Sequence, residues 1–378
     1  MIKLPSRKLL ARFVGFALFI GVQWPLQVVE AKDIEREIQG VNVTEVAWMT
    51  ADARRELIGQ LAQSGVRAVR LGVREPFAPV LDAMELAQKN NIQVLLVLTM
   101  NNRSYFDGDT RRRHGDRIER SYPLSSLNVD RFKQVFGSFW TEMDKRNLKV
   151  LAVQVGNEIN WGFNGDLQAD AERTGHVYKN VEEVPDAPSF VRGMDTYVAV
   201  MRAVRELRDV SHVNSGAKIL SAGLARIRPS LAASMGGDAV DPATVYRLLA
   251  DRGLGRYADA SAMHYYPVVS STPVERRKIL DVVLQECRAG GTQQPCWITE
   301  WGFSNTGQNC PLDDSARAAL ILETRENLRD AARQGSLAAS FYFEWSGKSP
   351  RGIWRCGGLT EAGRAAIQPD DAPAGTPR

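Results

Sequence analysis

The chain holds no CxxC and no HxxxH spacing, and its only histidines are His114, His176, His212 and His264. Structural zinc sites are built on such spacings, so zinc is disfavoured. Cys287, Cys296, Cys310 and Cys356 are left for another role. No apolar run approaches the ~20 residues needed to span a bilayer; the leading candidate, Phe13 to Val22, is ten residues long. No Gly-rich phosphate loop follows the first β-rich run, which removes support for a dinucleotide-binding sheet. Net charge is small as well, +4 from 48 basic and 44 acidic residues. Without residues 1–31 it falls to +1, which leaves no case for nucleic acid or an anionic membrane surface as a partner. No cofactor and no metal are expected.

What is present begins at the N-terminus. Lys3, Arg7, Lys8 and Arg12 precede the apolar run, and Val29-Glu30-Ala31 follows it. That is the layout of a secretory signal peptide, so residues 1–31 are expected to be cleaved, with no stable membrane insertion afterwards. The expected location is secreted or periplasmic. The Pro- and Asp-rich end, QPDDAPAGTPR from Gln368, is expected to be a disordered tail. Residues 32–367 then form one catalytic domain.

Within that domain short apolar, β-branched runs alternate with stretches of helical period. The expected strands are Val41–Ala47, Val66–Leu71, Ile92–Leu98, Leu148–Val155, Lys218–Ser221, Ala258–His264, Trp297–Thr299 and Leu337–Phe343. Helical patterns cover Ala51–Ser64, Phe77–Lys89, Phe132–Lys145, Ser189–Arg208, Val274–Arg288 and Asp314–Arg333. Such alternation means a parallel sheet, and eight strands favour closure into a (β/α)₈ TIM barrel. The long insertions at 99–127, 159–187 and 223–240 would then rise from the C-terminal face, where barrel active sites are built.

The chemistry-bearing residues stand at strand ends. Strand four ends in VGNEINWG with Asn157 and Glu158, and strand seven in WITEWGF with Glu300. Strand six ends in MHYYP with His264, Tyr265 and Tyr266, strand eight in FEWS with Trp345, and strand two near Arg70. Either glutamate alone would read as a structural carboxylate. Strands four and seven face each other across a barrel mouth, however, so together the two can flank a glycosidic bond. Trp161, Trp301, Trp354 and Trp48 are candidates for an extended sugar groove or for rim packing. Glu344 is the rival carboxylate, but alternation turns it away from the face Trp345 would present. Tyr265 should likewise point outward against a helix. Arg111–Arg120 could contact an acidic polysaccharide or be a solvated loop.

GNE on strand four, HxY on strand six, TEWG on strand seven and a Trp on strand eight resemble the clan A glycoside hydrolases, including the cellulase-like family five. The resemblance spans roughly residues 40 to 367. It implies a retaining double displacement on a β-linked glycan, a polysaccharide, with Glu158 as acid/base and Glu300 as nucleophile. It further implies that Asn157 bonds the sugar 2-hydroxyl and that Tyr266 holds Glu300. Arg70 would keep Glu300 ionised, His264 would belong to the site, and Trp345 would floor the sugar. A transglycosylase would use the same carboxylates, and a non-catalytic glycan-binding barrel is the reading from another class. The cysteines allow three pairings; neighbours in this topology give Cys287–Cys296 at the base of strand seven and Cys310–Cys356 at the rim.

Overall fold

The computed structural model describes residues 37–112, 121–167, 175–235, 237–305, 314–345 and 349–367. The expected signal peptide, the C-terminal tail, Cys310 and most of the Arg111–Arg120 run lie outside these residues. Eight parallel strands close into a barrel: β1 (Ile38–Val43), β2 (Ala68–Val73), β3 (Gln93–Leu98), β4 (Ala152–Val155), β5 (Lys218–Ala225), β6 (Ala260–Tyr265), β7 (Cys296–Trp301) and β8 (Leu337–Tyr342). Each strand pairs with its sequence neighbours, and β8 closes on β1 with Ile38 opposite Ala339. Helices α1 (Ala51–Gln63), α2 (Ala78–Lys89), α3 (Val129–Lys145), α4 (Ala187–Asp209), α5 (Pro242–Asp251), α6 (Pro273–Arg288), α7 (Ser315–Arg333) and α8 (Glu361–Ile367) follow the strands in turn.

Helix starts are written locally. Thr50 caps α1 by accepting from Ala53 N, and Asn128 caps α3 by accepting from Arg131 N. Thr272 and Glu275 form a reciprocal capping box at α6, with Pro273 in its first turn. Each cap satisfies amide groups that the helix itself leaves unbonded.

Alternation along the strands gives two faces. Outward residues such as Val69, Leu71, Leu96, Ile219, Met263 and Ile298 pack beneath the helices. Inward residues stack in layers. The lower layer is apolar and mixes small with large: Ala68, Leu95, Ala152, Leu220, Trp297 and Phe341. Gly40 belongs here, because a Cβ on it would lie 2.5 Å from the Phe341 ring. Two residues further along the same strands the inward positions turn polar, with Asn42 on β1 and Arg70 on β2, both buried. This change of layer marks the C-terminal mouth.

The first strand lies earlier than Val41–Ala47, because Gln39, Gly40 and Asn42 break its apolar signature. Gly40 and Asn42 face the barrel interior, which requires a small and a polar side chain there, whereas Gln39 faces outward and accepts from Arg325 of α7 at 2.7 Å. Residues 46–48 form a 3₁₀ turn instead. Above the mouth, the insertions after β4 and β5 are joined by parallel pairing of Val177–Tyr178 with Ala239–Val240. Cys287 at the end of α6 is bridged to Cys296 at the start of β7. None of the described helices is long and apolar enough to cross a membrane.

Candidate active site

The mouth opens into a cleft of about 1130 Å³. Its floor is a hydrogen-bonded set of inward side chains. β4 ends in Gly156 at φ +87° and Glu158 at φ +46°. The left-handed region costs a non-glycine residue roughly 1–2 kcal/mol. The distortion lets Glu158 N donate to Gly223 O of β5 at 2.9 Å, and it turns the Glu158 carboxyl into the cleft. Trp161 Nε1 donates to Glu158 Oε2 at 2.6 Å, and His264 Nδ1 lies 2.7 Å from Glu158 Oε1.

Glu300 arrives from β7. Arg70 Nη1 donates to its Oε1 at 2.7 Å and the Tyr266 hydroxyl donates to its Oε2 at 2.6 Å. His264 Nδ1 is 3.5 Å from Oε2, so the imidazole stands between the two carboxylates. Burial pushes the Glu300 pKa up, but His264, Arg70 and the Tyr266 bond outweigh it and hold the carboxyl below its ordinary range. Burial and the adjacent Glu300 charge push the Tyr266 phenol far above its ordinary range, so it remains a donor.

Arg70 has every edge of its guanidinium engaged. Besides Glu300 it donates to Asn42 Oδ1 at 2.6 Å, Asn157 Oδ1 at 2.6 Å and Gln154 Oε1 at 3.0 Å. Asn42 in turn donates to the Thr299 carbonyl at 3.0 Å, tying Arg70 to the strand that carries Glu300. Glu158, His264 and Glu300 each bring one donor atom within 4.8 Å of the others, a spacing that could hold a cation. Arg70 already places a positive charge on Glu300, which opposes a second one.

The structure thus brings together Arg70, Asn157, Glu158, Trp161, His264, Tyr266 and Glu300. Two expected sugar-binding tryptophans stand elsewhere. Trp301 follows the inward Glu300 and therefore points outward, where it is buried edge-on against Tyr342. Trp345 is fully buried and stacks on Trp354 at 5.3 Å. The aromatic that lines the cleft from the end of β8 is Phe343, edge-on to Tyr266 at 6.2 Å. Glu344 accepts from Thr44 Oγ1 at 2.8 Å and does not line the cleft. Tyr265 points outward, its hydroxyl donating to the Arg276 carbonyl of α6 at 2.9 Å. Trp48 is exposed on the rim under Arg74.

Asn42 and Gln154 were not anticipated. Their signal was a polar residue at an inward position of an apolar strand, clearest for Gln154 in LAVQV. Phe343 and Arg351 were also missed.

No family model and no curated protein matches the chain. Solved structures do. Virulence factor SghA, solved with its substrate analogue salicin, is 12% identical, with a TM-score of 0.52 over 88% of this chain and 94% of that one. A GH30 endoxylanase from Clostridium papyrosolvens C71 is 12% identical, with a TM-score of 0.50 over 88% of this chain and 71% of that one. Saccharomyces cerevisiae Gas2p, in complex with laminaritetraose and laminaripentaose, is 14% identical, with a TM-score of 0.51 over 89% and 65%. At these identities the likeness is one of fold: this chain is a (β/α)₈ barrel of the architecture found in those carbohydrate-active proteins.

Proposed function

We propose that the protein is an exported, retaining glycoside hydrolase acting on a β-linked glycan. The observation that carries this reading is the pairing of Glu158 and Glu300. They come from opposite strands, and a carboxylate oxygen of each lies within 4.8 Å of the other. So close an approach of single oxygens favours a retaining pair, whose carboxyl groups stand about 5–5.5 Å apart, over an inverting pair, whose groups stand roughly 6.5–9.5 Å apart to admit a water. The two environments also differ. Glu300 is held ionised by Arg70, Tyr266 and His264, as a nucleophile requires. Glu158 faces His264 and Trp161 without a cationic lysine or arginine partner among the described residues.

In the first step Glu300 attacks the anomeric carbon and the glycosidic C–O bond breaks. The departing oxygen takes a proton from Glu158. In the second, Glu158 takes a proton from water, which displaces Glu300 and frees the sugar. Asn157, fixed by Arg70, offers its amide N–H to the sugar 2-hydroxyl. The solved structures named above include one with the substrate analogue salicin and one with laminaritetraose and laminaripentaose, which supports a glycan as the ligand. Export rests on the signal-like residues 1–31 and on the Cys287–Cys296 bridge, which suits an oxidising compartment.

The test is a pair of variants read on two substrates. Glu300→Ala should lower turnover by at least about 10⁴-fold on every glycoside. Glu158→Ala should do so for a natural glycan but retain glycosylation with a dinitrophenyl glycoside, whose leaving group needs no proton. NMR should show the first-formed sugar with its anomeric configuration retained. Near-wild-type activity in Glu300→Ala, or an inverted product, would sink the assignment.

A further inference from the structure

The cleft is cationic beyond what the two carboxylates require. Five arginines line it, Arg70, Arg74, Arg226, Arg228 and Arg351, against Glu158 and Glu300. Arg70 is engaged with Glu300, Arg226 is paired with Glu286, and Arg74 lies over the Trp48 ring and is not counted as free charge. Arg351 is different. It reaches in from the loop after β8, its guanidinium carbon 4.5 Å from the centre of the Tyr266 ring. Among the described residues no carboxylate or other hydrogen-bond acceptor meets that guanidinium. Its Nε is shut off from solvent and without a partner.

A guanidinium has five donors and no acceptor, and leaving buried donors unmatched costs free energy. The tyrosine ring attracts its charge but does not satisfy the N–H groups along its edge. Those groups form the fork that matches a carboxylate in bidentate fashion. Tyr266 also fixes where the fork stands. Its hydroxyl holds Glu300 and its ring carries Arg351, so a sugar seated at Glu300, or that sugar's neighbour, meets the cation. Arg228, which makes no ion pair among the described residues, adds positive potential along the same cleft.

We infer that the glycan is acidic and that Arg351 reads a sugar carboxylate, as in a β-linked uronic acid. This specificity deepens the glycosidase reading and rests on it. Neutral sugars would leave the Arg351 edge unmatched.

The experiment compares β-1,4-glucuronan and β-1,4-mannuronan oligosaccharides with their carboxyl-reduced forms, for binding by calorimetry and for cleavage. The wild-type protein should favour at least one acid form over its reduced form on the order of 30-fold, the scale of a charged hydrogen-bonded pair. In Arg351→Gln the acid-to-neutral ratio should collapse, and Arg351→Lys should restore part of it. A merely structural Arg351 would lower both members of a pair together and leave the ratio unchanged, which would overturn the proposal. So would wild-type indifference to reduction, failure to bind either uronan, or binding of cellulose sulfate in place of both. Preferential binding of an acid form without Glu300-dependent cleavage would sink the hydrolase reading and keep this one. Cleavage without preference would do the reverse.

Discussion

Arg70 Nη1 and Glu300 Oε1 lie 2.7 Å apart with neither side chain more than a tenth exposed. A buried ion pair broken on one side leaves an uncompensated charge, at a cost of about 3–5 kcal/mol. Arg70→Met should therefore destabilise by that order in denaturant unfolding at pH 7. It should also lower kcat/KM on the order of 10²-fold or more, because Glu300, Asn157 and Gln154 lose their common donor. The folded pKa of Glu300 is depressed, so its stabilising contribution is present above the unfolded value and lost as pH falls through the folded one. The Arg70→Met penalty should accordingly shrink in acid. An unchanged penalty at pH 3 would contradict the pairing.

The same depression fixes the acid side of the activity profile. With Glu300 held below the ordinary value of 4.5, the acid limb of kcat/KM should lie below that pH. Tyr266→Phe removes one donor to the ionised carboxylate, so the limb should move upward. Turnover at the optimum should fall roughly 10- to 100-fold. A limb that stays in place would show that Tyr266 does not stabilise the ionised form.

Backbone space is as specific as charge in this site. A Cβ on Gly223 would fall on His264 Nε2 and stand 2.8 Å from Thr299 Oγ1. Gly223→Ala should displace the imidazole from Glu158 and cost about 1–3 kcal/mol by overpacking. Activity should drop at least about tenfold, since His264 orients the acid/base. The comparison to make is with Ala222→Gly on the outward face, which should lower stability while sparing kcat.

Much of this site was readable in the sequence because strand ends are short and carry few residues. The order Arg70, Glu158, His264, Tyr266 and Glu300 at the ends of strands two, four, six and seven is enough to place them at one mouth once the strand count reaches eight. What periodicity could not deliver was the face of each residue near a strand's end. Trp301 sits one residue past Glu300 and so faces away, while Trp345 lies two beyond Phe343, where the chain has already left the barrel. Helix α5 was passed over because Pro242–Asp251 is short and starts with a proline. Asn42 and Gln154 escaped because polar residues in strands read as interruptions, whereas here they brace Arg70.

The Cys287–Cys296 bridge closes a small loop between α6 and β7, nine residues apart in sequence. The double variant Cys287→Ser/Cys296→Ser should lose about 2–3 kcal/mol by the loop-entropy relation. Reductant should lower the Tm of the wild type and leave that of the double variant nearer to its starting value. Equal sensitivity would mean that the bridge contributes nothing to the fold.

Phe343 and Trp345 make opposite predictions although they stand two residues apart. Phe343 lines the cleft beside Tyr266, so it offers an apolar face to the CH groups of a bound sugar. Phe343→Ala should raise KM and lower kcat/KM by about 3- to 10-fold, an aromatic contact being worth ~0.5–1.5 kcal/mol. Stability should change less, since one face of the ring already meets the cleft. Trp345 is fully buried against Trp354 with its Nε1 unpartnered. Trp345→Phe removes volume from a packed site and should cost about 1–3 kcal/mol of stability. It also removes an unsatisfied N–H, which offsets part of that loss. Its KM should stay within a few-fold of the wild type. If Trp345→Phe instead raised KM as strongly as Phe343→Ala, with the thermal transition unchanged, the sugar floor would have to be moved from Phe343 to Trp345.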